Sequence, residues 1–323
     1  MFDHAQRKGI VLHFVFNEAE KPNKETLGGK ALSRERKLFY REMIARFGHH
    51  NALLWNLCEE YNLYLDLGPE AVMAFARYIR ALDPYRHPLT VHHAKQPQVA
   101  WAPFIGSDLF DLTSLQIGRG DIEPVVEAFR ELTRKAGRPL PVALDEFTVT
   151  TAKQAHLPTD DFTTLRKEKI WPAYLSGGQI EVITEDLLDT HDFRKHERLW
   201  NEMWFARKFL EENMPFWEME PADDLLTGEA TREGKTCTHD GQVFAKPGHC
   251  YAIYLPDATS TGSLDLKNAP GEFIQRWYNP RTGAFVGAPK PVNGGRALAL
   301  GPPPAEPAED WAVLIQRTDR RTQ

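Results

Sequence analysis

The sequence predicts an α/β domain of the (β/α)8 barrel type, lacking the first two strands of a closed barrel, followed by an all-β sandwich. Three observations predict it. Apolar, β-branched runs alternate with amphipathic helical segments through the first two thirds of the chain, the pattern of parallel βαβ units. The runs are almost continuously apolar, as buried parallel strands are. After Pro215 helical periodicity stops and short strands follow one another between turn signals, the pattern of an antiparallel sandwich.

The elements follow in order. Residues 2–8 read as a short helix. Strands are expected at 9–16 (GIVLHFVF), 52–57 (ALLWNL), 89–92 (LTVH), 112–117 (LTSLQI), 141–144 (PVAL) and 179–184 (QIEVIT). Between them, 37–47 carries Phe39, Met43, Ile44 and Phe47 at helical spacing, and 70–82 starts beside Pro69. Segments 122–136 and 196–213 complete the helices. In the sandwich, strands are expected at 242–245, 250–255, 273–278, 285–286, 297–300 and 311–316, with turns at Pro247-Gly248 and Asn279 to Gly283. The expected division is a barrel domain over 1–215, a sandwich over 216–317 and a frayed tail over 318–323. Six strands can stand as an open sheet, whereas a closed barrel needs eight.

The chain has 323 residues, which at about 150 per domain suggests two domains. Apolar residues are 42% and charged residues 26%, a balance that excludes a disordered or collagen-like chain. Lysine and arginine number 39 against 45 acidic residues, a net charge of −6 with no basic stripe, which argues against nucleic acid or an anionic membrane as partner. No apolar run is long enough to span a bilayer, and the opening MFDHAQRKGI lacks the apolar stretch of a signal peptide. The 3 cysteines, Cys58, Cys237 and Cys250, are too few and too irregular for a disulfide framework or a CxxC metal motif. No metal or other cofactor is expected. There is no GxSxG elbow, P-loop or GxGxxG.

The chemistry is concentrated at strand ends. If period two continues beyond the ALLWNL strand, Asn56, Cys58 and Glu60 share the inward face, and Leu53, Trp55, Leu57 and Glu59 the outward one. Glu60 would then point inward at the carboxyl end of its strand, where barrel enzymes place catalytic groups. The PVALDEF strand ends in Asp145-Glu146, which could alternatively cap a following helix. Three strand–helix steps separate Glu60 from Glu146, so both could face one pocket. Hydrolysis of a glycosidic bond needs such a pair, one carboxyl protonating the leaving oxygen and the other attacking the anomeric carbon. His13, Asn17, His92, His93, Gln116 and Glu185 also fall at strand ends and could bind sugar hydroxyls, as could Asn56 and Glu59. Trp101 and Trp55 are candidate stacking faces. His92 and His93, as strand neighbours, are expected to point to opposite faces, which argues against a metal pair.

Several stretches resemble bacterial glycoside-hydrolase-like proteins that join an apiosidase-like (β/α)8 barrel to a β-sandwich named for collagen binding. They are WNLCEEYN, DPYRHPLTVHH, PVALDEF and DFRKHERLWNEMWFARKFLEENMPFWEMEP, then AKPGHCYAIYLP, WYNPRTG and DWAVLIQ. The resemblance implies Glu60 as acid/base and Glu146 as nucleophile. It implies a retaining hydrolase of a poly- or oligosaccharide, and export of the full-length relatives. Related hydrolases carry Asn immediately before the acid/base, where this chain has Glu59. The family's barrel begins upstream of Met1, so a late-started chain is expected. The sandwich is expected to be a stabilising or sugar-binding accessory rather than a collagen binder. Two rival readings are a non-catalytic carbohydrate-binding or adhesion protein and an inactive barrel fragment.

Overall fold

A computed structural model describes residues 1–94, 96–117, 120–147, 162–182, 194, 197–235 and 237–318. The chain forms two compact units. One comprises Met1–Gly118 with Ala128–Phe147, the other Arg119–Glu127 with Thr148–Gln323.

The first unit is built from parallel strands. β1 (Leu12–Val15), β2 (Leu53–Asn56) and β3 (Leu89–Thr90) form one sheet in sequential order. β4 (Leu115–Ile117) pairs in parallel with β5 (Val142–Phe147). The sequential parallel winding is that expected of a barrel-type domain, but among the described residues the sheets do not close. β1 to β4 are shorter than their apolar runs, whereas β5 extends past its run to Phe147 and carries Asp145 and Glu146.

Helix α1 (Phe2–Arg7) precedes β1, and α2 (Lys21–Thr26) and α3 (Arg34–Phe47) follow it. Ser33 caps α3 by accepting the Arg36 N–H at 3.1 Å. The fully buried line of α3 is Arg36, Tyr40 and Ile44, one turn apart, while Phe39, Met43 and Phe47 are only half-buried. α4 (Pro69–Leu82) starts with Pro69 after Gly68, whose φ of 76° suits glycine. It buries Val72, Phe75, Ala76 and Ile79, the stripe of an amphipathic helix. Trp55 stands behind β2, stacked on Phe16 at 5.0 Å and edge-on to Phe14, with its indole N–H donated to Asp83. α5 (Pro97–Trp101) seats Trp101 against Phe104 and Phe110.

The second unit holds β6 (Gly178–Ile180), a helical run and the sandwich, and the division between the units falls within α6 (Glu123–Lys135). α7 (Phe162–Leu165) continues through a π-helical turn (Arg166–Ile170) into α8 (Trp171–Leu175), and α9 (Glu197–Asn213) follows. A six-stranded antiparallel sheet includes Gln242–Lys246, Cys250–Leu255, Glu272–Asn279, Ala284–Asn293 and Trp311–Arg317. A three-stranded sheet is formed by Leu226–Glu229, Thr261–Asp265 and Ala297–Ala299. Both contribute to one core, with Leu226, Leu264 and Leu298 meeting Val243, Ile253, Phe273, Val313 and Ile315.

Residues on both sides of 215 fall in the same compact unit. The helical run packs on the sandwich: Trp171 stacks on Tyr254 at 4.9 Å and Phe209 meets Tyr278 at 4.8 Å. Arg166 makes two bonds to Asp310, at 2.9 and 3.1 Å, and a third to Glu202 at 3.2 Å. Burial of these aromatic and charged groups ties residues on both sides of 215 into one body. No described helix is long and apolar enough to cross a membrane.

Candidate active site

The site lies in the first unit, on the loops that leave β2 and β3 and on β4 and β5 themselves. β2 stops at Asn56, whose Oδ1 accepts the backbone N–H of Cys58 and of His92, both at 3.2 Å. These bonds turn the chain out of the strand. The Glu59 N–H donates to Asn17 O at 2.7 Å, and Glu60 adopts a left-handed φ of 40°. Strand alternation therefore ends before Glu59 and Glu60, and the inward–outward parity expected of them does not hold. Buried Lys24 donates to the carbonyls of Glu60 and Leu63, each at 2.8 Å, and to that of Tyr61 at 3.4 Å. Asn62 pairs with both backbone groups of Ala94, which ties this loop to the one after β3.

β3 likewise stops at Thr90, so the two histidines are not strand neighbours on opposite faces. Their rings lie nearly parallel, 5.8 Å apart. His92 is the hub of the site. Its Nε2 stands 3.2 Å from Glu59 Oε1 and 3.6 Å from Glu146 Oε2. Its Nδ1 stands 3.1 Å from Ser114 Oγ and 3.8 Å from Asp145 Oδ2. The Ser114 hydroxyl donates a short bond to the same Asp145 oxygen. His93 accepts the Gln116 N–H at 3.2 Å. The Gln116 side-chain amide donates to Glu60 Oε1 at 3.0 Å and to Glu146 Oε2 at 2.5 Å. Asp145 and Glu146 both belong to β5, so neither caps a helix.

Four acidic residues, Glu59, Glu60, Asp145 and Glu146, thus converge from two well-separated segments. One carboxylate oxygen each of Glu59 and Glu146 and a His92 ring nitrogen all lie within 4.8 Å of one another. The side chains of Glu59 and Glu146 are 30% and 28% exposed, whereas those of Asp145 and His92 are 8% and 1% exposed. Glu59 and Glu146 are therefore part-exposed, and the groups behind them are buried.

The electrostatics separate these groups. Burial pushes the Glu59 carboxyl up to about 7. The charge of His92 opposes this, and the charges of Glu146, Asp145 and Glu60 add to it. Burial disfavours a charged His92 ring, but the acidic groups of Asp145, Glu146 and Glu59 close around it prevail and raise it to about 10. Burial also holds the Cys58 thiol up at about 12, which leaves it an inert core group rather than a nucleophile.

His13 lies on β1 with a ring nitrogen within 4.8 Å of an Asp145 oxygen. Asn17 is buried, accepts from Arg36 at 2.7 Å and braces the loop that precedes α3. Trp55 and Trp101 are fully buried, and the Trp101 N–H is donated to Ser114 O at 3.2 Å. Both indoles are therefore used in packing and offer no face to a sugar. Glu185 lies outside the described residues. Sequence reasoning missed Ser114 and Lys24. Ser114 sits inside the apolar run LTSLQI, and Lys24 lies in a stretch, KPNKET, with no apolar periodicity to mark it.

No family profile matches the sequence, and no curated protein does. Solved structures do. A glycoside hydrolase family 5 protein from Bacteroides vulgatus superposes with a TM-score of 0.74 at 14% identity, over 99% of this chain and 73% of that one. A second structure, described as a glycoside hydrolase, gives 0.72 at 12% identity, over 99% of this chain and 76% of that one. The fold is similar to that of glycoside hydrolases.

Proposed function

We propose that this chain hydrolyses an O-glycosidic bond of a poly- or oligosaccharide with retention of configuration. Glu59 serves as general acid and base, and Glu146 as nucleophile. The observation that carries the reading is the pairing of two part-exposed carboxylates, from the ends of β2 and β5, with oxygens within 4.8 Å of each other. Retaining enzymes hold their carboxyl groups about 5–5.5 Å apart, and inverting ones about 6.5–9.5 Å. The fold likeness to glycoside hydrolases supports the same class of reaction.

The two carboxyls divide the work by environment. Glu59, raised to about 7, still carries its proton in a large fraction of molecules at neutral pH and can deliver it to the leaving oxygen. Glu146 receives a bond from Gln116 and faces the charged His92 ring at 3.6 Å, an arrangement suited to an anion that attacks the anomeric carbon. The attack forms a glycosyl ester on Glu146 and expels the alcohol protonated by Glu59. Glu59, now anionic, then takes a proton from water as that water attacks the ester. The resemblance favoured Glu60 as the acid. Its carboxylate is bonded to the Gln116 amide, and its left-handed backbone is held by Lys24, which suits it to orient Gln116.

The test is steady-state kinetics on aryl glycosides and polysaccharides with Glu59→Gln, Glu60→Gln and Glu146→Gln. Glu146→Gln is expected to abolish turnover on every substrate. Glu59→Gln should lose about 10²–10⁴-fold on natural linkages, with much smaller losses in glycosylation when the leaving group is a good one. Glu60→Gln should retain most activity. Sugar binding without turnover in the wild type, unaffected by Glu146→Gln, would replace this reading with that of a carbohydrate-binding protein.

A further inference from the structure

The second unit carries a cluster that the proposed hydrolase does not use. Asp121, Cys237 and His239 each offer one ligand atom, and the three atoms lie within 4.8 Å of one another. All three belong to the same compact unit. Among the described residues, this is the one cluster of potential metal ligands that combines sulfur, nitrogen and oxygen donors.

The local structure is built to present them. Arg232–Glu233 pairs antiparallel with Thr238–His239. Cys237 and His239 stand two residues apart at this edge, a spacing that puts both side chains on one face. The Cys237 Sγ lies 2.9 Å from His239 Nε2. The connecting turn is pinned: the Gly234 N–H donates to Cys237 O at 3.0 Å, and Glu168 accepts the Lys235 N–H at 2.8 Å and pairs with Arg232 at 3.3 Å. Gly234 has no room for a side chain, since a Cβ there would stand 2.4 Å from Cys237 O and 2.6 Å from Glu168 Oε1. Asp121 is brought up by Lys169, whose ammonium donates to Gly120 O at 2.5 Å. His239 is buried, and beside it opens a cavity of 250 Å³ lined also by Asp121, Glu123, Asp223, Glu229 and Asp240. Lys169 and Arg232 are the nearby cations, and Glu168 and the acidic wall offset them.

We infer that Asp121, Cys237 and His239 form a binding site for a zinc-type divalent cation, clasping the 120–121 segment to the 232–239 hairpin. The donor set selects the class of ion. Thiolate and imidazole favour zinc and its soft or borderline neighbours over magnesium and calcium, which take oxygen ligands. Three protein ligands leave a fourth position that opens to the cavity, where water or a wall carboxylate can complete a tetrahedron. Binding takes up Cys237 as thiolate and releases its proton to solvent.

The full chain, stripped by a chelator, is titrated with Zn²⁺, Mg²⁺ and Ca²⁺ and then loaded with Co²⁺ for absorption spectroscopy. One zinc per chain is expected, with no comparable uptake of magnesium or calcium, and a thiolate-to-cobalt charge-transfer band. Cys237→Ser should remove that band, and Cys237→Ser and His239→Gln should each weaken zinc binding by at least about 100-fold. Cys250→Ser should change neither. Absence of zinc binding in the wild type, absence of the thiolate band, or wild-type affinity in both ligand variants would overturn the assignment. The wild-type cobalt spectrum decides alone if a variant does not fold.

Discussion

Glu59 carries most of the chemical argument, and its environment makes it testable in two ways. A carboxyl raised to about 7 that acts as the acid must be protonated. Glycosidase activity is therefore expected to fall on the alkaline side with a midpoint near pH 7, and that limb should disappear from the residual activity of Glu59→Gln. The same shift has a sign for stability. The folded-state value lies above the ordinary 4.5, so the folded state binds the proton more tightly than the unfolded state. The contribution is fully present below pH 4.5 and is lost as pH rises through about 7. Denaturant unfolding should accordingly find Glu59→Gln close to wild type at pH 4 and more stable at pH 8, by about 1–3 kcal/mol. A variant less stable than wild type at pH 8 would mean that the ion pair with His92 outweighs burial. At this scale the sequence disclosed which residues sit at strand ends: Glu59, Glu60, His92, Gln116 and Glu146 all meet in the site. It did not disclose which of two adjacent glutamates stands beside His92 and Glu146. That depends on where β2 lets go of its ladder, and the side chain of Asn56 decides this by capturing two backbone N–H groups. Nor could it show that Trp55 and Trp101 are core, because a tryptophan at a strand end reads the same whether its ring is covered or open.

At the scale of elements, the loop after β2 is held from outside by α2. Lys24 is wholly buried and satisfies three carbonyls of that loop, while burial lowers its ammonium below the usual lysine range. Lys24→Met should cost about 2–4 kcal/mol in unfolding free energy, since charged hydrogen bonds are worth roughly 1.5–3 kcal/mol each and orphaned carbonyls add to the loss. It should also lower kcat by loosening Glu59 and Glu60, with activity and thermal unfolding measured on the same preparation. In the other unit, the π-helical turn puts Arg166 between Asp310 and Glu202, all three buried. Asp310→Ala would leave a buried guanidinium short of its main partner and should destabilise that unit by about 3–5 kcal/mol, read by denaturant unfolding. The main helices and most strands were legible because periodicity and caps are local. α2 was not, because KPNKET has no apolar face, and the strands Leu226–Glu229 and Thr261–Asp265 were missed because LTGE and TGSLD are too polar to stand out.

For the molecule as a whole, the sequence announced an α/β part and a β part, and the structure contains both. The packing of Trp171 on Tyr254 and of Phe209 on Tyr278 joins the helical run to the sandwich, and such long-range contacts leave no local mark in a sequence. The chemistry assigned to the molecule lies within the first unit, between the loop after β2 and the strand β5, and it comes down to one bond. The most direct test is to incubate the full chain with a panel of 2-deoxy-2-fluoro aryl glycosides, in which the ester intermediate is long-lived, and to map any adduct by peptide mass spectrometry. The account predicts a stable glycosyl adduct on the peptide that carries Glu146, absent in Glu146→Gln. Turnover of ordinary glycosides by the same protein with no adduct from the matching fluorosugar, or an adduct on any other residue, would contradict it.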